Sequence, residues 1–153
     1  MGSVVQLFKE DQLAGFLEAR KLVSITRDKI DYLSIQGFIL AYSKELVLIQ
    51  YVYDFRLDGL IVLRRRDITS IETSHTDEFQ TQLLKDGGLF AQIDFNPEYD
   101  LSNWESLLNT LGKQAKYIIL ENEALEDPEF CIGELRHVTR DTVDMLGFNG
   151  VGR

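Results

Sequence analysis

The sequence predicts an α+β protein that is mainly β: a small rolled β-barrel with an N-terminal helix, then a helical insert, then a partial second copy of the strand unit. Three observations carry this expectation. The end of the chain echoes its beginning at a constant spacing of 96 residues, so that Gly37 falls on Gly133, Ile39 on Leu135, Ser43 on Thr139, Lys44 on Arg140, Glu45 on Asp141 and Val47 on Val143. Such self-similarity constrains architecture more than an isolated motif, because both copies must adopt one local structure. Between Leu22 and Thr73, runs dense in Val, Ile, Leu and Tyr alternate with short polar turns, as in consecutive strands. Residues 75–116 interrupt that pattern with helix signals. The expected division is 1–74 for the helix and barrel, 75–116 for a helical connector, and 117–153 for the partial second unit.

Taken in order, Glu10 to Arg20 reads as a short helix. Leu13, Phe16 and Leu17 share one face, Glu10 and Asp11 lie at the positive end of its dipole, and Arg20 and Lys21 lie at the negative end. It is expected to lid the first sheet. Strands follow at 22–27, 34–43, 46–55, 59–66 and 68–73, with turns at Ser43-Lys44-Glu45 and Leu57-Asp58-Gly59. Asp77 to Lys85 is a helix carrying Phe79, Leu83 and Leu84, stopped by Gly87-Gly88. Leu89 to Phe95 reads as extended. Ser102 and Glu105 form a Ser-x-x-Glu capping box ahead of the stripe Trp104, Leu107, Leu108 and Leu111, with Gly112 placed to end the helix. Trp104 is expected to fasten this helix onto a sheet.

The second copy repeats strand, loop and hairpin, with Ile118-Ile119-Leu120 standing against Leu22-Val23-Ser24, but it lacks the strands that follow Gly59 in the first. A sheet that stops early exposes unpaired backbone groups that template association. The natural chain is therefore expected to continue beyond Arg153, the alternative being a degenerate unit whose edge packs on the middle helices.

Composition bounds the function. With 153 residues and 44% hydrophobic content the chain can bury a core without disulfides. Cys131 is the single cysteine, which suits a reducing cytoplasm, and it reads as a small strand hydrophobe beside Gly133 rather than a reactive thiol. No apolar run approaches the roughly 20 residues of a membrane span, so no membrane partner is expected. Residues 1–76 hold 10 Lys/Arg and 10 Asp/Glu, and residues 77–153 hold 6 and 15, so the whole net charge of −9 falls in the second half. A field of that sign repels phosphate backbones and makes nucleic acid an unfavourable partner. Arg64-Arg65-Arg66 is the one basic run, and strand alternation would put Arg64 and Arg66 on one face with Arg65 opposite.

No enzyme signature emerges, and no cofactor or metal is expected. Gly87-Gly88 follows a helix and is a stop signal rather than a phosphate loop. Cys131 and His137 share strand parity, but six extended residues separate them by about 20 Å, too far for a catalytic pair. Glu121, Glu123, Glu126, Asp127 and Glu129 around Pro128 read as a solvated acidic loop, since they lack the ordered spacing of a calcium loop.

A helix followed by five bent strands, with Gly37 and Ile39 and again Gly133 and Leu135 at matching places, resembles the small barrel of the Sm-like proteins, in a tandem arrangement similar to that of uncharacterised bacterial proteins. The resemblance covers about 60 residues in the first copy and 35 in the second. It implies a fold that assembles into rings binding uridine-rich RNA through an Asp followed by an Asn-bearing strand. Here Glu45-Leu46-Val47-Leu48-Ile49-Gln50 and Asp141-Thr142-Val143-Asp144-Met145-Leu146 contain no Asn, so the fold carries over without the RNA pocket.

The expected function is a non-enzymatic protein-binding or assembly module, with a protein partner or self-association through an exposed strand edge. Tyr51, Tyr53 and Phe55 on a tyrosine-rich hairpin, with Arg64 and Arg66, form the expected binding surface. The alternative is an RNA or single-stranded nucleic-acid binder, in which the same aromatics stack bases and Arg56, Arg64 and Arg66 contact phosphates.

Overall fold

A computed structural model describes residues 10–114, 117–122 and 129–148 of the chain. The protein is α+β and mainly β, with two antiparallel sheets. It divides into two compact units, Met1–Leu101 and Ser102–Arg153, so the segment expected as a connector is shared between them.

The first unit opens with α1 (Glu10–Ala19), closed by Arg20 at φ 50°. The Lys21 N–H donates to the Phe16 carbonyl at 3.2 Å and the Arg20 N–H to that of Leu17 at 3.1 Å, the Schellman pairing that satisfies the last carbonyls. Five strands follow: β1 (Leu22–Thr26), β2 (Ile35–Tyr42), β3 (Leu46–Tyr53), β4 (Arg56–Arg64) and β5 (Ser70–Glu72). They form one sheet in the order β4-β3-β2-β1-β5. That sheet is open, with β4 and β5 as its edges, and no pairing between them closes it into the barrel expected from sequence.

The hydrophobic run Leu46–Ile49 is fully buried, as suits a central strand covered on both faces. One face packs Leu13, Val23, Ile25, Ile39, Val47, Ile49, Leu63, Ile68 and Ile71 together, with Phe16 and Leu17 of α1 against them, so α1 lids this face as expected. On the opposite face the buried Phe38 meets Phe90 and Phe95 edge-on, with ring centroids 5.6 and 5.8 Å away. Arg20 lies over the Phe95 ring and Lys85 over that of Phe90. The stretch expected to be extended turns at Phe90–Gln92 to deliver these rings. The second helix, α2 (His75–Asp86), starts earlier than predicted because Ser74 and Asp77 make a reciprocal capping box. Asp77 is buried and also accepts from Gln36 Nε2 on β2 at 2.8 Å, which ties α2 to the sheet.

The second unit holds α3 (Trp104–Gln114), β6 (Ile118–Asn122), β7 (Glu129–Val138) and β8 (Val143–Phe148), in the order β6-β7-β8. The N-cap of α3 is Asn103, whose side chain accepts from the Ser106 N–H at 2.8 Å, rather than Ser102. Gly112 does not end the helix. It lies where an added Cβ would stand 3.0 Å from Leu135 Cδ2, so its smallness serves close packing of α3 on β7.

The two hairpins agree in detail at the spacing of 96. Gly37 pairs with Tyr51 and Gly133 with Gly147, a bulge falls between Ile39 and Ala41 and again between Leu135 and His137, and Tyr42 pairs with Val47 as Val138 does with Val143. Ser43 Oγ accepts from the Glu45 and Leu46 N–H groups, and Thr139 Oγ1 from those of Asp141 and Thr142. The preceding strand departs by one residue: Gly37 faces Val23, whereas Gly133 faces Ile118. A one-residue slip exchanges faces, so Ile119 joins Ile132 on the side away from Leu135 and is 57% exposed where Val23 is buried.

Candidate interaction surface

The expected binding residues fall on the β3–β4 hairpin. Tyr51 and Tyr53 alternate with the buried Val52, so both emerge on one face, and their rings stack with centroids 6.2 Å apart at 28°. The chain reverses at Asp54 and Phe55, not at Leu57-Asp58-Gly59 as the sequence predicts. Both residues have positive φ, 51° and 60°, the sign that a primed hairpin turn requires and that Asn-Gly normally supplies. Left-handed backbone costs an L-residue about 1–2 kcal/mol. This turn nevertheless holds a phenylalanine there, half exposed at the tip beside Tyr53, which is 63% exposed. Arg56 pairs with Tyr53 across the hairpin, and its guanidinium reaches the Asp54 carboxylate only at 4.0 Å in the open.

The Asp58-Gly59 pair instead forms a bulge inside β4, with Gly59 at φ 84°. Gln50 makes this possible. Its buried side-chain amide donates to the carbonyls of Gly59 at 3.0 Å and Tyr51 at 3.2 Å, filling the gap in the ladder.

The arginines lie elsewhere. Arg64 ends β4 and pairs with Leu46, seven residues back along β3 from Tyr53, or about 23 Å at strand rise. Arg66 is exposed, but on a 3-10 turn, Arg65–Asp67, rather than on a strand, so it does not share a strand face with Arg64. Arg65 serves as a latch: its Nη1 donates to the Ser43 carbonyl at 3.0 Å and its guanidinium lies 6.0 Å above the Tyr42 ring. The structure thus brings Tyr51, Tyr53 and Phe55 together and places Arg64 and Arg66 at the other end of the hairpin.

Sequence reasoning missed the loop between β1 and β2. Arg27 is buried and binds Asp31 in a two-pronged ion pair at 2.6 and 2.9 Å, while the Asp28 N–H is held by Thr69 Oγ1. On this fixed base Tyr32 is fully exposed and Leu33 75% exposed. The available signal was Tyr-Leu set between Asp31 and Ser34 in an otherwise polar loop. Phe79 and Leu83 also stand exposed on α2, while Leu84 carries that helix's burial.

The remaining candidates resolve into structural roles. The bulge between Leu135 and His137 breaks the alternation that would have put Cys131 and His137 on one face. Cys131 is half-buried, and a Cβ built on Gly147 would lie 3.3 Å from its sulfur, so the thiol packs over that glycine. His75 is exposed beside Glu78. Glu123, Glu126 and Asp127 lie outside the described residues. Among the described residues no three His, Cys, Asp or Glu side chains converge to hold a metal ion, and no helix is long and apolar enough to cross a membrane. Comparison with protein-family models, with curated proteins and with solved structures finds no match.

Proposed function

We propose that this chain is a non-enzymatic protein-binding or assembly module, built from two copies of one strand unit, the first of them Sm-like. The helix ahead of five antiparallel strands, with Gly37 and Ile39 on the second, supports the Sm-like reading. The coincidence of bulge, register and turn bonds at one spacing supports the two-copy reading. The observation that carries the function is the hairpin tip. A stacked tyrosine pair, half-buried at Tyr51 and exposed at Tyr53, and an exposed phenylalanine in a disfavoured backbone conformation stand at the end of a buried strand. Strained backbone persists where its surroundings over-determine it, and exposed aromatics on a rigid support bind with little ordering cost.

The nucleic-acid alternative needs base-stacking rings and phosphate-binding cations in one groove. Of the three arginines that reading calls on, Arg56 stands beside the aromatic tip and Arg64 and Arg66 occupy the far end, and the net charge of −9 opposes approach of a polyanion.

The test is a pull-down from the source cell's lysate with the tagged chain and with its Tyr53→Ala/Phe55→Ala variant, with and without nuclease. A stoichiometric protein kept through nuclease by the wild type and lost by the variant supports the proposal. Partners that vanish with nuclease, or that dissociate steeply with salt, transfer the surface to nucleic acid. A partner kept equally by the variant overturns the hairpin tip as the binding surface.

A further inference from the structure

Two aspartates of the chain are followed by glycine, in Asp58-Gly59 and Asp86-Gly87. Glycine has no side chain to shield its own amide nitrogen, which in such a pair can close onto the aspartyl Cγ to give a cyclic imide. The fold treats the two pairs differently. Asp86 is the last residue of α2, the Gly87 N–H donates to the Leu83 carbonyl at 3.0 Å, and the Asp86 carboxylate accepts from Gln82 Nε2 at 2.9 Å. Nucleophile and electrophile are both held, and turning the Asp86 peptide into the attacking geometry breaks the helix end. Asp58 and Gly59 instead occupy the bulge of β4, between the pairs Val52–Leu57 and Gln50–Leu60, where neither has a partner in the register of β3. Both are exposed, and the Asp58 carboxylate makes no hydrogen bond or ion pair with the described residues. Gly59 stands at φ 84° with nothing within 4 Å of the place a Cβ would take, so its peptide unit has room to turn.

We propose that Asp58 is a site of spontaneous backbone modification, closing through Gly59 to a succinimide and reopening as isoaspartate, while Asp86 is protected by its helix. The carboxyl reacts in its protonated form: the Gly59 nitrogen bonds to Asp58 Cγ, and the carboxyl hydroxyl leaves with the amide proton as water. A second water then adds to one of the two imide carbonyls. Cleavage of the Cγ–N bond restores aspartate. Cleavage of the bond between the Asp58 carbonyl carbon and the nitrogen leaves the chain running through Cβ and Cγ, with the α-carboxylate as the new side group. Water leaves and water returns, so no oxidant, reductant or cofactor enters. The product adds one main-chain carbon to β4 beside the Gly59 carbonyl that Gln50 Nε2 holds, and so disturbs the register between Gln50–Leu60 and Val52–Leu57 on which the aromatic tip stands.

The test incubates the full chain in warm neutral buffer, folded and in urea, and locates isoaspartate by peptide mapping and by methyl transfer from S-adenosylmethionine with a protein-isoaspartate methyltransferase. In urea the two pairs should react at similar rates. In the folded chain Asp58 should stay within a few-fold of its unfolded rate, whereas Asp86 should slow by about tenfold or more, the factor set by a local opening that costs about 1.4 kcal/mol. Asn149-Gly150, which forms the same imide with loss of ammonia, lies outside the described residues and is read in its own peptide. Asp58→Glu, which would have to close a larger ring, should remove isoaspartate from the peptide holding residue 58 and leave the other peptides unchanged. Hydrogen exchange over residues 52–57 should quicken several-fold in the isoaspartyl form. Equal slowing of the two pairs on folding, or isoaspartate formed at Asp86 ahead of Asp58, would overturn the assignment, and unchanged exchange at 52–57 would overturn the register argument. None of these readouts depends on what the aromatic tip binds.

Discussion

Replacing Gly37 with alanine should destabilise the first unit by about 3 kcal/mol, the upper part of the range for overpacking a closed core. A Cβ at this position would lie 2.4 Å from Ile49 Cγ2 and 2.5 Å from the Gln50 carbonyl oxygen. Ordinary carbon-to-oxygen contact is about 3.3 Å, so β3 would have to retreat by roughly 0.8 Å. It has nowhere to go. Ile49 is paired with Ile39 on one side and Ile61 on the other, and Gln50 is fixed to Gly59 by its side-chain amide. Gly15→Ala is the internal reference. It lies in α1 with nothing within 4 Å of an added Cβ, so the helical gain of about 0.5–1 kcal/mol should appear as stabilisation. Urea unfolding followed by far-ultraviolet circular dichroism reads both, and for a unit of this size 3 kcal/mol corresponds to a fall in Tm of roughly 12–24 °C. Gly133→Ala, whose Cβ would meet the Leu146 carbonyl oxygen, should do the same to the second unit, where Trp104, the single tryptophan, supplies a fluorescence probe. A loss at Gly37 below about 0.5 kcal/mol, the scatter of ordinary surface substitutions, would refute the close-approach argument.

Three further outcomes are expected. Asp77→Ala removes the reciprocal cap of α2 and leaves the Gln36 amide without its acceptor, so the urea midpoint should fall by the equivalent of about 2 kcal/mol. Asp31→Ala strips the two-pronged partner from a buried Arg27 and should cost about 2–3 kcal/mol, read by thermal unfolding, whereas an exposed ion pair would cost less than about 1 kcal/mol. Replacing Asp54-Phe55 with Asn-Gly should raise stability by about 1 kcal/mol while abolishing partner retention in the pull-down, because it relieves the positive-φ turn and removes the aromatic tip together. Stability and binding falling in parallel would show that Phe55 serves the fold.

Much of the element list was legible in local chemistry. Leu13, Phe16 and Leu17 predict α1, the Val-, Leu- and Tyr-rich run from Leu46 predicts a strand, and Gly37 and Gly133 fall at matching places in the two predicted hairpins. These signals are short-range: side-chain periodicity and turn residues act within a few positions, so they can be read without knowing what the segment meets. The misreadings share the opposite property. Leu57-Asp58-Gly59 carries turn chemistry as strongly as any segment of the chain, yet it became a bulge because Gln50, on the neighbouring strand, supplies the missing ladder bonds. Arg65 and Arg66 looked like strand residues until the chain turned at the sheet corner, where Ser43 captures one of them. Ile119 matches Val23 in sequence and differs from it in exposure through a one-residue slip against β7. Tyr51, Tyr53 and Phe55 fall together at one end of the hairpin, but their separation from Arg64 depends on strand length and register, and the projecting Tyr32 depends on a salt bridge beneath it. Pairing partners, register and the open or closed state of a sheet are set by cross-strand packing between residues distant in the chain, and that energy has no signature in the local pattern.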